Sequence, residues 1–339
     1  MSSEYDVTAV GNAIVDVLAP ASEAFIVSEG LPKGGMTLID QHRALNLYGK
    51  MVARSEANNE DLTQESGGSA GNTIAGVASF GGKAAYIGKV AHDELGEVFS
   101  RDLKKSGVHF DVPFLHDDPT HTGRCLINVT EDGQRTMATF LGAAALVQPE
   151  DVDPQLIRAS QITYLEGYLF DTPSGRAAFA KACEIARSAG RKTAMTLSDS
   201  FVVDRWRTDL LAFIDQHIDL VFANESELLS LFQTEDFDKA ARYLKSKADL
   251  AFVTRSERGS VALKADLSHD IPVYPVTEVV DTTGAGDQYA AGVMYGLTQG
   301  LHLETCGRLG ALAAAEVISH YGPRPQVSYA ELAKQNGLI

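Results

Sequence analysis

The chain has 339 residues, 45% of them hydrophobic and 22% charged, the balance of a globular protein with enough apolar side chains for a sizeable core. Its formal net charge of −16 argues against nucleic acid or an anionic membrane surface as partner, because neither is attracted to such a field. No run of about 18 apolar residues occurs, no basic and apolar leader opens the chain, and three widely spaced cysteines, Cys125, Cys183 and Cys306, lack metal-ligand spacing and suit a reducing compartment; a cytoplasmic protein is expected.

Taken in order, Tyr5 to Val10 reads as a first strand ended by Gly11-Asn12, and Ile14 to Leu18 as a second, in which Asp16 shares a face with Ile14 and Leu18. An unpaired carboxylate on an apolar face is costly, so either that face is wet, as on an edge strand, or Asp16 has a hydroxyl or cationic partner. Residues 21 to 63 are polar, turn-rich and weakly periodic and read as an inserted connection. Ser66-Gly67-Gly68-Ser69-Ala70-Gly71-Asn72 then opens a helix through Phe80, with Ile74, Val77 and Ala78 at helical spacing and Gly81-Gly82 as its stop. Its glycines suit either close packing on a sheet or a ligand at the helix start.

Ala84 to Val90 predicts a short buried strand and Leu95 to Gly107 a helix. Cys125 to Thr130 and Arg135 to Phe140 predict two strands joined by Glu131-Asp132-Gly133-Gln134, a hairpin. From Ile162 the pattern alternates: strand Ile162 to Leu165, helix Arg176 to Ala189, strand Thr193 to Leu197, a helix from about Asp204, strand Asp219 to Ala223, helices Glu225 to Phe232 and Phe237 to Lys247, strand Leu250 to Thr254. Such alternation predicts an α/β fold with a mostly parallel central sheet and helices on both faces. Ligands of such sheets sit at the carboxyl ends of the strands, where Gly11-Asn12, Asn224 and the loop 281–287 are expected.

That loop, Asp281-Thr282-Thr283-Gly284-Ala285-Gly286-Asp287, carries the strongest chemical signal. A strand-like run, Val276 to Val280, enters it and the helical run Gln288 to Leu297 leaves it. The first N–H groups of a helix lack internal partners and carry the positive end of its dipole, so this is where an anion binds. Glycines at 284 and 286 remove β-carbons that would hold a phosphate off, and Asp287 beside them can take a proton from a bound hydroxyl. The same residues also fit a tight turn with a first-turn acid.

No G-x-x-x-x-G-K-[ST] is present, the dinucleotide G-x-G-x-x-G/A fails at 284–289 because Tyr289 stands last, and the protein-kinase H-R-D and D-F-G elements are missing. A Rossmann dehydrogenase thereby loses its support. The sequence instead resembles the ribokinase-like (PfkB) carbohydrate and nucleoside kinases. D-T-T-G-A-G-D-Q-Y-A-A-G at 281–292 is similar to that family's C-terminal signature, G-G-S-A-G-N-T-I-A-G-V-A-S-F-G-G-K-A-A-Y-I-G-K-V at 67–90 to its N-terminal one, and Asn224-Glu225-Ser226-Glu227 to its N-x-x-E element. Within the family, G-N-A-I-V-D at 11–16, T-G-R-C at 122–125 and D-G-Q-R-T at 132–136 look most like adenosine kinases.

The resemblance implies one large α/β kinase domain with a small β-rich lid from residues 17–63 and 110–140, ATP as donor and Mg2+ as its counter-ion. Asp287 would be the base, and the N–H groups of Gly284, Ala285 and Gly286 the anion hole. Asp16, Gly68 and Asn72 would hold ribose hydroxyls, with Asn12, Ile14, Ser69 and Met137 also on the acceptor side and Met36 on a segment near it. Asn224 and Glu227 would organise water and magnesium about the phosphates, Glu227 through water, with Thr254, Gly259 and Thr282 also on the donor side. Arg135 would descend with the lid to offset phosphate charge. A purine needs an aromatic to stack on, for which Tyr168 and Phe170 are the candidates; a core role for Phe170 is the competing reading. Three functions follow: a nucleoside kinase acting on adenosine, a ribose or fructose kinase of the same fold, and a non-catalytic sensor, the last disfavoured because Asp287, both loop glycines, Asn224 and Glu227 are all present.

Overall fold

The computed structural model describes residues 3–59, 62–116, 118–265 and 267–339. Its strands, in chain order, are β1 (Tyr5–Val10), β2 (Ile14–Pro20), β3 (Met36–Leu38), β4 (Thr63–Gly67), β5 (Ala84–Ile87), β6 (Val108–His109), β7 (Gly123–Val129), β8 (Arg135–Phe140), β9 (Ser160–Glu166), β10 (Lys192–Thr196), β11 (Leu220–Asn224), β12 (Leu250–Thr254), β13 (Ser260–Lys264) and β14 (Leu267–Ile271). Nine of them form the main sheet in the order β14-β13-β12-β11-β10-β9-β1-β5-β6. It is parallel from β6 to β12 and antiparallel through β13 and β14.

Strand side chains alternate faces, and both faces of this sheet are buried. In β11, Leu220 and Phe222 pack with Ile74 and Val77 of the helix Ser69–Ser79 and with Val293 and Met294 of the helix Ala285–Thr298. Val221 and Ala223 pack instead with Phe179, Leu210, Leu228 and Leu244 of four helices on the other side. Two-sided burial is why these strands read as unbroken apolar runs. The fold is the expected ribokinase-like α/β arrangement of a mostly parallel sheet between helical layers.

The remaining five strands make a smaller mixed sheet, β3-β8-β7-β2-β4. The hairpin read at 125–140 is there, antiparallel from Arg124↔Phe140 to Val129↔Arg135. Strand β2 lies between β7 and β4, so Asp16 is not on an edge strand. Of the stretches 17–63 and 110–140, residues 60, 61 and 117 lie outside the described residues.

Two local readings need correction. Residues 21–63 are more than a connection, since they contain the short helix Glu23–Ser28 and the 18-residue helix Gln41–Asn58. The Asp40 side chain caps the longer helix by accepting from Arg43 N–H at 2.8 Å. Its buried stripe is narrow, Ala44, Leu47 and Met51, which is why polar residues masked the period. Val276 to Val280 forms no strand; Val279 and Val280 are exposed, and Val280 N–H donates to the Ile318 carbonyl at 2.8 Å. The glycine loop is therefore entered from an irregular segment rather than from the sheet.

Candidate active site

A cavity of about 540 Å³ lies between one face of the smaller sheet and the carboxyl ends of β1, β9, β11 and β12. Residues Thr282 to Asp287 close it on one side. Asn12, Glu166, Asn224 and Thr254, each at or just past a strand end, all line it, which is the placement expected for a ligand of a parallel sheet.

The helix Ala285–Thr298 begins in this cavity without a side-chain cap, so its first N–H groups are available to a ligand. Ala285 N–H turns back to the Thr282 carbonyl at 3.2 Å. A β-carbon at Gly286 would meet nothing within 4 Å, so that face is open. Gly284 is glycine for a different reason: its φ is +79°, and a β-carbon would stand 2.7 Å from Pro323 Cα. Asp281 fixes the loop from behind. Its Oδ1 accepts from Thr283 N–H at 3.0 Å and Thr283 Oγ1 at 2.7 Å, and its Oδ2 from Gly322 N–H at 3.0 Å. Arg135 Nη2 from β8 pairs with the same carboxylate at 3.0 Å. Burial raises the Asp281 carboxyl, but these hydrogen bonds and Arg135 outweigh it and hold the group below its ordinary value.

Asp287 stands in the first turn of that helix. Ser69 Oγ donates to its Oδ1 at 2.6 Å and Asn72 Nδ2 to its Oδ2 at 3.0 Å, so the two glycine-rich helix starts meet here. Burial pushes its carboxyl up to about 6, opposed by those two hydrogen bonds and by Arg324. It is then mostly ionised at neutral pH and basic enough to accept a proton. Asn72, read as a sugar-hydroxyl ligand, donates its amide to Asp287 in this structure, and its Oδ1 is buried with no partner.

Asp16 faces the same cavity. Its carboxyl lies against the Gly67 backbone, where a β-carbon would come within 2.4 Å, and burial pushes it up to about 7. Behind it, Glu166 is almost fully buried; its Oε1 accepts from Asn12 Nδ2 at 2.7 Å and Asn12 N–H at 3.3 Å, its Oε2 from Ala70 N–H at 2.8 Å. Burial also pushes Glu166 up to about 7 against those donors. Gly68 caps the helix Ser69–Ser79 at φ +78°, and a β-carbon there would collide with the Asn12 carbonyl at 2.4 Å. The N-terminal signature is glycine-rich here because backbone crosses backbone.

On the opposite side, Asn224 and Glu227 form a reciprocal capping box at the start of the helix Glu225–Phe232. Asn224 Oδ1 accepts from Glu227 N–H at 2.8 Å, while Asn224 N–H and Nδ2 donate to the Glu227 carboxylate at 2.9 and 2.7 Å. Burial, with Asp199 nearby, pushes Glu227 up to about 7 against the Asn224 bond. Six carboxylates line the cavity, Asp16, Glu166, Asp171, Asp199, Glu227 and Asp287, and no lysine or arginine among the described residues does. A polyphosphate entering such a field needs a cation with it. Among the described residues no group of three or more His, Cys, Asp or Glu is placed to hold a metal; an ion held by one carboxylate, water and phosphate oxygens fits this donor set, as hard magnesium does elsewhere.

The site thus gathers Asn12, Ile14, Asp16, Gly68, Ser69, Met137, Tyr168, Asn224, Glu227, Thr254 and residues 282–287 around one cavity, Met36 among its lining. Four candidates are absent from the lining: Asn72 and Arg135, which are bonded to Asp287 and Asp281, and two that lie elsewhere. Phe170 is 1% exposed in the core against Phe213, with ring centroids 5.4 Å apart, and does not line the cavity. Gly259 makes the tight turn from β12 to β13 at φ +79° against the Ile271 carbonyl and is also absent from the lining. Sequence reasoning missed Phe201, 6.0 Å from the Tyr168 ring, as well as Glu166 and Arg324. An acid ending an otherwise apolar strand, as in Leu165-Glu166-Gly167, was a signal for Glu166. Nothing local marks Arg324.

An uncapped helix start, a carboxylate beside it and a roofed cleft beyond are the features of a phosphotransferase acting on an alcohol group. The chain belongs to the pfkB family of carbohydrate kinases, whose model matches residues 36–328. It is 48% identical to the adenosine kinase of Sinorhizobium meliloti, with a TM-score of 0.89 over 98% of this chain and 100% of that one. It is 46% identical to a Rhizobium etli CFN 42 chain named "probable sugar kinase protein", with a TM-score of 0.90 over 99% and 100%. Over 332 residues it is 28% identical to the adenosine kinase of Saccharomyces cerevisiae, covering 93% of this chain and 95% of the yeast protein.

Proposed function

We propose that this protein transfers the γ-phosphoryl group of ATP to the 5′-hydroxyl of adenosine. The observation that carries the reading is the make-up of the cavity, whose lining joins a carboxylate and an open helix start to an apolar wall of Ile14, Met36, Ile127 and Met137 and to the rings of Tyr168 and Phe201. A free sugar needs no such wall, whereas a base does. Asp287 takes the hydroxyl proton as the oxygen attacks, and the first-turn N–H groups at Gly286 neutralise charge on the moving phosphoryl group. Asp16 and Gly68 hold the ribose hydroxyls, while Asn72 orients Asp287. Glu227, positioned by Asn224, would hold magnesium through water, and the ion would supply charge neutralisation on the donor phosphates. The smaller sheet acts as a lid, with Arg135 on Asp281 as its latch, and keeps water from the donor. No described helix is long and apolar enough to cross a membrane, and three unpaired buried thiols support a cytoplasmic setting.

A sugar kinase is the second reading, favoured by the Rhizobium etli likeness and by the polar Asn12–Glu166 pair beside Asp16. The deciding experiment is a phosphorylation screen with ATP and Mg2+ over adenosine, inosine, ribose and fructose, paired with isothermal titration. Adenosine is expected to give the highest kcat/KM and to bind at least tenfold tighter than ribose, because stacking a base on an aromatic contributes about 1–3 kcal/mol. Equal binding of ribose and adenosine would overturn the nucleoside assignment.

A further inference from the structure

The segment beyond the helix Leu303–Val317 returns to the site. Pro323, besides packing on Gly284, accepts from Gln288 Nε2 at 2.8 Å; the same nitrogen donates to the Asn72 carbonyl at 3.0 Å. Arg324 then passes under the start of the helix Ser69–Ser79. Its Nη2 donates to the Ser66 carbonyl at 2.7 Å and Ser66 Oγ at 2.9 Å, and a β-carbon on Gly71 would lie 3.5 Å from it. Asp102 grips Ser66 from the other side, accepting from its N–H at 2.9 Å and its Oγ at 2.5 Å. Arg324 Nε and Nη1 are buried with no hydrogen-bond partner. A desolvated guanidinium with two unpaired donors is held by surrounding charge, and the carboxylates around it are Asp102, Asp16, Glu65 and Asp287.

We propose that Arg324 is a positioning residue for the acceptor: it clamps the Ser66–Gly68 turn and sets a fixed counter-charge behind Asp16 and Asp287. The inference rests on the phosphotransfer reading above. Asp287 is faced by Ser69 and Asn72 from the helix Ser69–Ser79, by Asp16 from β2, by Tyr164 and Glu166 from β9, by Tyr168 just beyond, and by Arg324. In that set Arg324 is the one cation. Removing it raises the Asp287 carboxyl, so the base is protonated at a higher pH and the acid limb of the rate profile moves upward.

The test compares Arg324→Gln, which keeps bulk without charge, with Arg324→Lys, which keeps charge without the planar fork. Arg324→Gln is expected to lower kcat/KM for the acceptor at least tenfold at pH 7, to leave the donor KM within about twofold, and to move the acid limb to higher pH. Arg324→Lys restores the limb but not the acceptor KM. In parallel, 13C carboxyl titration of Asp-labelled protein, with the Asp287 signal assigned through Asp287→Asn, reads the same shift without turnover. An unchanged Asp287 titration and an unchanged limb in Arg324→Gln refute the proposal. If the wild type phosphorylates none of the alcohols yet the titration shifts, the kinase reading and with it the acceptor role fail, while the counter-charge of Arg324 on Asp287 stands. Should Arg324→Gln not fold, an Arg324→Lys variant with wild-type acceptor KM refutes it.

Discussion

Asp16→Asn separates the cost of a buried carboxylate from its use. The Asp16 side chain makes no hydrogen bond among the described residues, and burial pushes its carboxyl up to about 7 from an ordinary 3.8, with Arg324 and Arg135 opposing and Glu65 and Asp287 adding. At about 1.4 kcal/mol per pH unit, ionising it costs the fold about 4 kcal/mol, and its opening onto the cavity lets solvent screen this to about 2 kcal/mol. Because the folded value lies above the unfolded one, the cost is absent below about pH 4, grows as pH rises and is complete above about pH 7. The neutral amide is therefore expected to raise Tm at pH 8 by roughly 3 °C, taking about 2.1 cal/mol/K of unfolding entropy per residue, and to leave Tm at pH 4 unchanged. Acceptor KM should rise about 10- to 100-fold, since losing hydrogen bonds to a charged group costs about 1.5–3 kcal/mol, while the ATP KM holds. Thermal scans at both pH values and initial-rate kinetics in each substrate make the measurement. A lower Tm at pH 8, or equal loss for both substrates, would show Asp16 to be a structural partner and refute the reasoning.

Asp287→Asn should bind both substrates yet lower kcat by at least about 10²-fold, the scale of a lost general base; near-normal turnover in a folded variant removes that role. Ser69→Ala deletes the largest hydrogen bond that holds the Asp287 carboxyl down, so the acid limb of kcat/KM should move to higher pH, with more activity lost at pH 6 than at pH 8.5. Tyr168→Ala should raise the adenosine KM about tenfold or more with little loss of stability. Phe170→Ala should instead cost about 3–5 kcal/mol of stability with the adenosine KM of the folded fraction unchanged, and a reversal of those two patterns in denaturant and kinetic titrations would exchange their assignments.

Much was legible in the chain because the signals are local. Two-sided apolar strands, helix stops at glycine and the Glu131–Gln134 turn act over a few residues, and they announce a parallel sheet between helices. The glycine-rich starts at 67–72 and 281–287 are likewise local, since backbone that must approach other backbone or an anion excludes a β-carbon. The sequence by itself therefore determined the fold class, the glycine-rich loop at 281–287 and most candidates around it. What only the tertiary structure decided is which side chains share a cavity. Phe170 and Tyr168 are two residues apart, yet one packs on Phe213 and the other opens on the cavity, because the 3-10 turn Gly167–Asp171 points them in different directions. Strand β2 became interior through pairing with β4 and β7, which changed the meaning of Asp16. Arg324 acquired its place from Pro323 packing against Gly284, 39 residues earlier. Such placements depend on long-range contacts whose free energy is collective, and no short window of sequence records them.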